Sequence, residues 1–277
     1  MPAAKSTEIV TLYASHPTNA KNILARLAER AHGLEGLTAR DLAEDPDTEV
    51  TDQNHVGGLD ATLGIAKAAG ITQADRVLDV GSGIGGPARV LAATTGCTVH
   101  GIDLSPARHR DAVELTRLVG LEDRVTFENE DFNRMPLDAR YSVVVGQGTF
   151  VHFGDLPAAL ERCRAVLTPG GRIAIEDSVL AREPVEDEVA LVADLERIWL
   201  AKFYPLSHWR ALLEGLEMEV THVEQMTGLF RGYFQKLLDL PPSGPDRGVA
   251  RERRGWALAV QLADAGVVDY RRLVARR

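Results

Sequence analysis

A buried-strand pattern in Arg76-Val-Leu-Asp-Val80 runs straight into the glycine loop Gly81-Ser-Gly-Ile-Gly-Gly86. About 20 residues further on, the acid Asp103 closes Val99-His-Gly-Ile-Asp103. Glycines at 81, 83 and 85 let the backbone turn sharply and approach a ligand. A carboxylate at the end of the next strand accepts both hydroxyls of a ribose, so the pattern implies an adenosine-bearing cofactor. The loop satisfies both G-x-G-x-G and G-x-G-x-x-G and does not by itself separate S-adenosylmethionine from a dinucleotide. Two further acids weigh in. Asp79, just before the loop, would repel a pyrophosphate but balances, directly or through water, the ammonium of a methionine tail. Asp131, in Asn129-Glu-Asp-Phe132, is placed to take the adenine amino proton while Phe132 packs on the ring.

A methyl group on a sulfonium brings its own electrophile, so the protein aligns a nucleophile, excludes water and, for a protonated nucleophile, removes a proton. His152, in Gln147-Gly-Thr-Phe-Val-His-Phe153, follows a strand at the ligand-facing edge and titrates near working pH, which makes it the candidate base. The competing reading is a helix-entry histidine bonded to backbone. His55 precedes a helix, beside the hinge Gly57-Gly58, and is a second catalytic candidate, orienting substrate, or else a residue satisfying a helix end. Gln147 is placed to reach the methionine moiety. Tyr204, His208 and Trp209 combine apolar walls with polar tips, as an acceptor pocket does, although such residues also build plain core. Glu176, with Asp177, ends a strand where open α/β sheets bind ligands and is a candidate to hold a cationic or hydroxylated acceptor.

Those residues need elements to hold them. Residues 18–70 read as helices, with Ile23, Leu24 and Leu27 on one face, a capping box at Thr38 and Asp41, and a stop at Gly70. From Arg76, strands near 76–80, 98–102, 124–128, 141–147 and 171–177 alternate with helices near 86–94, 106–119 and 155–167, which implies parallel strands with crossovers. Thr168-Pro-Gly-Gly171 suits the turn that launches the fifth of them. Further on, Val192, Leu195, Ile198 and Trp199 mark an amphipathic helix ending near Tyr204-Pro205 and covering the crevice. A short helix capped by Ser207, a strand at 218–224, a loop at Pro241–Pro245, a helix over 249–265 and a last strand at 270–275 complete the reading. The expectation is an α/β, Rossmann-like fold: about seven mostly parallel strands with helices on both faces. An N-terminal helical lid (1–70) precedes the cofactor core (71–180), and cap elements (181–277) finish the sheet and the acceptor pocket.

A hydrophobic share of 45% with 26% charged residues is globular, and no apolar run approaches the ~18 residues of a membrane span. The net charge of -9 disfavours nucleic acid, which needs clustered Lys and Arg. The start lacks the apolar core of a secretion signal, and Cys97 and Cys163 have neither metal nor redox spacing, so a cytoplasmic setting without metal is expected.

Taken together, the Asp79-to-Gly85 loop, Asp103, Glu130-Asp131-Phe132 and the Pro169-Gly-Gly171 turn resemble the class I S-adenosylmethionine-dependent methyltransferases over roughly residues 50–180. Asp52-Gln-Asn-His-Val-Gly-Gly58 and Gly83-Ile-Gly-Gly-Pro-Ala-Arg89 are similar to the small-molecule branch of sarcosine, dimethylglycine and ubiquinone-biosynthesis methyltransferases. That branch usually has an aromatic residue at the place of Asn54, and a serine with an acid at the place of Gly146-Gln-Gly148, which implies a rebuilt acceptor pocket. In the similar phosphoethanolamine methyltransferases the histidine matching His152 acts as the base. The resemblance implies methyl transfer to a small-molecule acceptor. Two rivals stand beside it: an NAD-dependent oxidoreductase, and a protein or cyclase that binds S-adenosylmethionine without passing on the methyl group.

Overall fold

The computed structural model describes residues 3–14, 16, 18–29, 34–44, 51–136, 141–241 and 247–277. Helices α1 (Ala3–Ala14), α2 (Ala20–Ala28), α3 (Ala39–Ala43) and α4 (Gly58–Ala69) come first. The capping box at Thr38 starts α3: its hydroxyl accepts from the Asp41 amide, and the Asp41 carboxylate accepts from the Thr38 amide. Then follow β1 (Arg76–Val80), α5 (Gly86–Thr95), β2 (Thr98–Asp103), α6 (Pro106–Leu118), β3 (Val125–Asn129), β4 (Tyr141–Gln147), a 3-10 turn at Phe150–His152, α7 (Leu156–Val166) and β5 (Leu167–Leu180). The remainder is α8 (Glu186–Trp199), α9 (Leu206–Gly215), β6 (Glu219–Gln225), α10 (Thr227–Asp239), α11 (Arg247–Asp264) and β7 (Val268–Arg276).

The strands make one seven-stranded sheet in the order β3-β2-β1-β4-β5-β7-β6. β1 to β5 run parallel, and β7 runs antiparallel to both its neighbours, giving the mostly parallel Rossmann-like fold expected. Two-residue alternation sorts the strand side chains. Leu78, Val80, Ile102 and Val144 pack with Leu160 of α7 and Trp209 of α9, whereas Val77, Val99, Val143 and Val145 pack with Ile65 of α4 and Leu91 of α5. A third apolar cluster joins Leu195 of α8, Phe230 of α10 and Leu262 of α11. Ile84, in the glycine loop, packs with Leu115 of α6, Ile23 of α2 and Leu42 of α3, so the N-terminal helices grip the loop from outside.

Strand order reverses between β1 and β4, and their parting C-terminal ends leave the crevice of a topological switch point. Several local expectations need correction. Thr168-Pro-Gly-Gly171 lies within the bounds of β5 as a register shift against β4, because Tyr141 already pairs with Leu167. Helix α8 stops at Trp199, since Leu200 enters the left-handed region (φ 54, ψ 35). It packs against α10 and α11, with Trp199 stacked near Phe234, and does not cover the crevice; α1 does. Ser207 sits inside the first turn of α9, after Pro205, and makes no cap. Helix α10 was not expected, and α1 falls within the expected N-terminal helical lid without having been read as a separate helix. Of the Pro241–Pro245 loop, residues 242–245 lie outside the described residues.

Candidate active site

The glycine loop is shaped by packing as much as by turning. Gly81 (φ 70) and Gly85 (φ 80) hold the left-handed conformation, and a Cβ on either would come within 2.5 Å of Thr149 or Phe127. The Gly83 amide donates to Asp103 Oδ2 at 2.8 Å, and the Ser105 amide donates to Asp103 Oδ1 at 2.8 Å. Two backbone donors thus fix the carboxylate at the cavity wall with lone pairs to spare. Burial pushes its pKa up, and the Arg108 guanidinium opposes that rise.

The crevice is a partly open cavity of about 120 Å³. Gly81, Gly83, Asp103, Asp131, Phe132, Gln147, His55 and His152 all line it. Asp79 and Gly85 are not on its wall: Gly85 turns the chain behind it, and Asp79 is buried with its Oδ2 lacking any hydrogen-bond partner. Burial, aided by the Asp103 charge, pushes Asp79 up to about 7. Ser82 Oγ and Arg108 Nη1, on residues of the wall, are also buried without hydrogen-bond partners. Orphaned acceptors and donors at one loop suit a ligand that carries an ammonium and hydrogen-bonding groups. Asp131 Oδ1 accepts from the Asn133 amide and side chain, and Phe132 meets Phe153 edge-on, 5.9 Å between centroids.

His152 lines the cavity beside Tyr13. Its Nδ1 lies 3.3 Å from the Leu200 carbonyl, which accepts only from an N–H. That bond leaves the lone pair on Nε2, 3.2 Å from the Tyr13 hydroxyl of α1. Burial raises the Tyr13 pKa, so the phenol donates to Nε2, and the Arg108 guanidinium lies 4.9 Å from the Tyr13 ring centroid. The turn carrying His152 hangs on Asp177, whose Oδ2 accepts from the Val151 amide at 3.1 Å, with the Phe150 and Thr149 amides also facing it. Asp177 therefore braces the turn from beneath.

Behind His55 runs a buried polar chain. The His55 Nδ1 is 3.1 Å from the Val56 carbonyl and its Nε2 is 3.1 Å from Thr62 Oγ1; burial pushes this imidazole down to about 4, so it is neutral. Thr62 also reaches Gln53 and Gln147, Gln53 donates to Asp52 at 2.7 Å, and Asp52 pairs with the fully buried Arg89 at 2.9 Å. In the other direction Gln147 donates to Glu176 Oε2 at 2.7 Å, and Arg272 Nε meets Glu176 Oε1 at 2.5 Å. Glu176 is thus a link in this chain and not part of the cavity wall, contrary to its acceptor-holding expectation.

Tyr204, His208 and Trp209 are likewise absent from the wall. Trp209 is core, edge-on to Phe150, because α9 packs beneath β4 and α7, while Tyr204 and His208 stack on each other at 4.9 Å. The cavity is instead closed by Ile9, Val10 and Tyr13 of α1. Nothing in local sequence marks Tyr13, Arg108 or Arg272 as partners of these groups; the pairing is tertiary. Among the described residues, no group of three or more His, Cys, Asp or Glu converges as a metal ion would require, and no helix is long and apolar enough to cross a membrane.

Residues 77–171 match the family model described as a methyltransferase domain. Over 229 residues the chain is 30% identical to methyltransferase GfsG of Streptomyces halstedii, spanning 80% of this chain and 82% of that protein. Its fold aligns with a candidate sarcosine dimethylglycine methyltransferase from Galdieria sulphuraria (TM-score 0.71, 19% identity, 99% of this chain and 98% of that one). It aligns also with phosphoethanolamine N-methyltransferase 2 of Haemonchus contortus, in complex with phosphomonomethylethanolamine and S-adenosylhomocysteine (TM-score 0.73, 20% identity, 93% of this chain and 60% of that one). The chain belongs to the S-adenosylmethionine-dependent methyltransferases. It is an S-adenosylmethionine-dependent methyltransferase, a finding that favours methyl transfer over the oxidoreductase and non-transferring readings.

Proposed function

We propose that the site methylates its small-molecule acceptor with His152 as the proton-accepting residue, Tyr13 as its hydrogen-bonded partner and His55 as a neutral group that orients the acceptor. S-adenosylmethionine, when bound, supplies a methyl group on a positively charged sulfur. The chain's own residues do the rest. Asp103 would hold the ribose, Asp131 and Phe132 the adenine, Asp79 the ammonium from beneath the glycine loop, and Gln147 the methionine portion, with Gly81, Gly83 and Gly85 giving the backbone room. Residues 1–70 serve as the lid region, 71–180 as the cofactor core, and 181–277 as elements that complete the sheet and brace the acceptor side. Two buried free thiols, Cys97 and Cys163, suit a reducing cytoplasm, and the acidic balance does not suit nucleic acid.

The observation that carries this reading is the pair of contacts made by the His152 ring, Nδ1 at 3.3 Å from the Leu200 carbonyl and Nε2 at 3.2 Å from the Tyr13 hydroxyl on the cavity wall. Replacing it tests the role directly. With labelled S-adenosylmethionine and a metabolite extract as acceptor source, His152→Ala is expected to lower methyl incorporation by roughly 10²-fold while leaving affinity for S-adenosylhomocysteine nearly intact. Unchanged incorporation would remove the imidazole from the mechanism.

A further inference from the structure

Arg108 lies in the first turn of α6 and lines the cavity. It is only 5% exposed, yet among the described residues its guanidinium makes no hydrogen bond, and Nη1 is buried without a partner. A buried guanidinium is ordinarily paired, because its five N–H donors lose water on burial. Asp103 supports the cation through its charge, but no ion pair joins them; the carboxylate is turned to the Gly83 and Ser105 amides. Arg108 Nη2 lies 3.3 Å from the position a Cβ would take on Gly83, so the cation, the glycine loop and the carboxylate meet at one corner of the wall. A group seated between a guanidinium, which only donates, and a carboxylate, which only accepts, must do both. An ammonium only donates, and a phosphate only accepts. Hydroxyls do both, and a ribose offers two side by side.

Resting on the methyl-transfer reading above, we infer that Arg108 is a cofactor-binding residue whose N–H groups donate to the ribose hydroxyl oxygens while those hydroxyls donate to Asp103, and that it passes the state of the ribose site to α1. The second half follows from its other contact. The guanidinium carbon stands 4.9 Å from the centroid of the Tyr13 ring, and the Tyr13 hydroxyl meets His152 Nε2 at 3.2 Å. A guanidinium held by the ribose is a fixed platform for that ring; without the ribose it has no hydrogen bond to hold it in place. Cofactor occupancy therefore steadies α1 over the cavity and seats Tyr13 against His152.

S-adenosylhomocysteine and its 2′-deoxy and 3′-deoxy analogues test this by calorimetry on the full-length protein, with no turnover needed. In the unsubstituted protein, removing a contacted hydroxyl is expected to weaken binding at least about tenfold. Arg108→Met keeps the apolar stem and removes the donors; it should weaken S-adenosylhomocysteine at least about tenfold and shrink the hydroxyl penalty at least about fivefold. Arg108→Lys, a point charge that cannot fork across two hydroxyls, should lose discrimination at one of them and carries the comparison if the Met variant does not fold. Weakening of all three ligands by one common factor would reduce Arg108 to background charge and overturn the inference. Unchanged affinities would overturn it too, leaving the guanidinium to an anionic acceptor. Hydrogen exchange across residues 3–14 reads the link to α1: saturating S-adenosylhomocysteine should slow it at least about threefold in the unsubstituted protein and hardly at all in R108M. Equal slowing in both overturns the link. Failure of S-adenosylhomocysteine to bind the unsubstituted protein overturns the underlying methyl-transfer reading and this inference with it.

Discussion

Asp79 and Asp103 sit on either side of one loop, yet only Asp103 has backbone donors on both oxygens, whereas Asp79 leaves one oxygen buried and bare. The difference gives each a separate test. Asp103→Ala is expected to weaken S-adenosylhomocysteine binding by about 2–3 kcal/mol, since hydrogen bonds to a charged acceptor are lost; a normal dissociation constant in calorimetry would count against the ribose assignment. Asp79 has an ordinary value of 3.8 and is pushed up to about 7, so the folded protein holds a proton between those values that the unfolded chain releases. For an acid raised in this way, stability of the ligand-free protein falls as pH rises from about 4 to about 7 and is level above that. An ammonium beside Asp79 favours its ionised form, so binding should release a proton below about pH 7 and weaken as pH falls. Calorimetry at about pH 6 in buffers of different ionisation enthalpy should show that release, and Asp79→Asn should abolish it. Both acids were legible in sequence because strand, loop and second strand fix their places locally. Tyr13 was not, because its bond to His152 spans 139 residues of chain and no local pattern encodes it.

At the scale of elements, the 3-10 turn at Phe150–His152 is held between two supports. Asp177 gathers its amides from below, and Leu200, at the left-handed end of α8, offers its carbonyl to the imidazole from the side. Asp177→Asn keeps the shape but exchanges an acceptor oxygen for an NH₂ that confronts amide donors. Turnover is expected to fall roughly tenfold with S-adenosylhomocysteine affinity unchanged, accompanied by a shift of the His152 ring signals in NMR; unaltered ring signals would show that the turn does not depend on this carboxylate. The strands β1 to β5 were readable because buried parallel strands carry apolar runs bounded by glycine and acid. Helix α10 was hidden by Gly228 and Gly232, each costing about 1 kcal/mol in helix propensity, which packing of Phe230 and Phe234 in the α8 and α11 layer overrides. The acceptor wall misled for a related reason: the aromatic cluster around Tyr204 has the composition of a pocket, but Trp209 and Leu213 turn it toward the core beneath β4.

Across the whole molecule, the buried polar chain from Arg89 to Arg272 ties the outer helices to the sheet. Arg272 alone touches Glu176 of β5, Glu224 of β6 and the Ala61 carbonyl of α4. Arg272→Ala strands the Glu176 carboxylate, and its loss is expected to cost about 3–5 kcal/mol in urea unfolding, whereas Glu176→Gln with Arg272→Met should recover most of that. A cost below about 1 kcal/mol for the single change would mean that water reaches Glu176 in its place. The Arg272 end of this chain was not visible beforehand, since Arg272 and Ala61 lie 211 residues apart and meet only when β7 enters the sheet.

That entry has a consequence for biosynthesis. Strand β6 lies at the sheet edge with β7 as its single neighbour among the described strands, and α10 and α11 are made between the two. On the ribosome, β1 to β4 find all their partners among β1 to β5, so the half that cradles the nucleotide can assemble early, whereas β5 keeps one edge open until β7 arrives. β6 emerges with no mate and must keep an open hydrogen-bonding edge until β7 arrives. A chaperone engaging this nascent polypeptide would be expected to guard that stretch, and slow codons between α10 and β7 would lengthen its exposure.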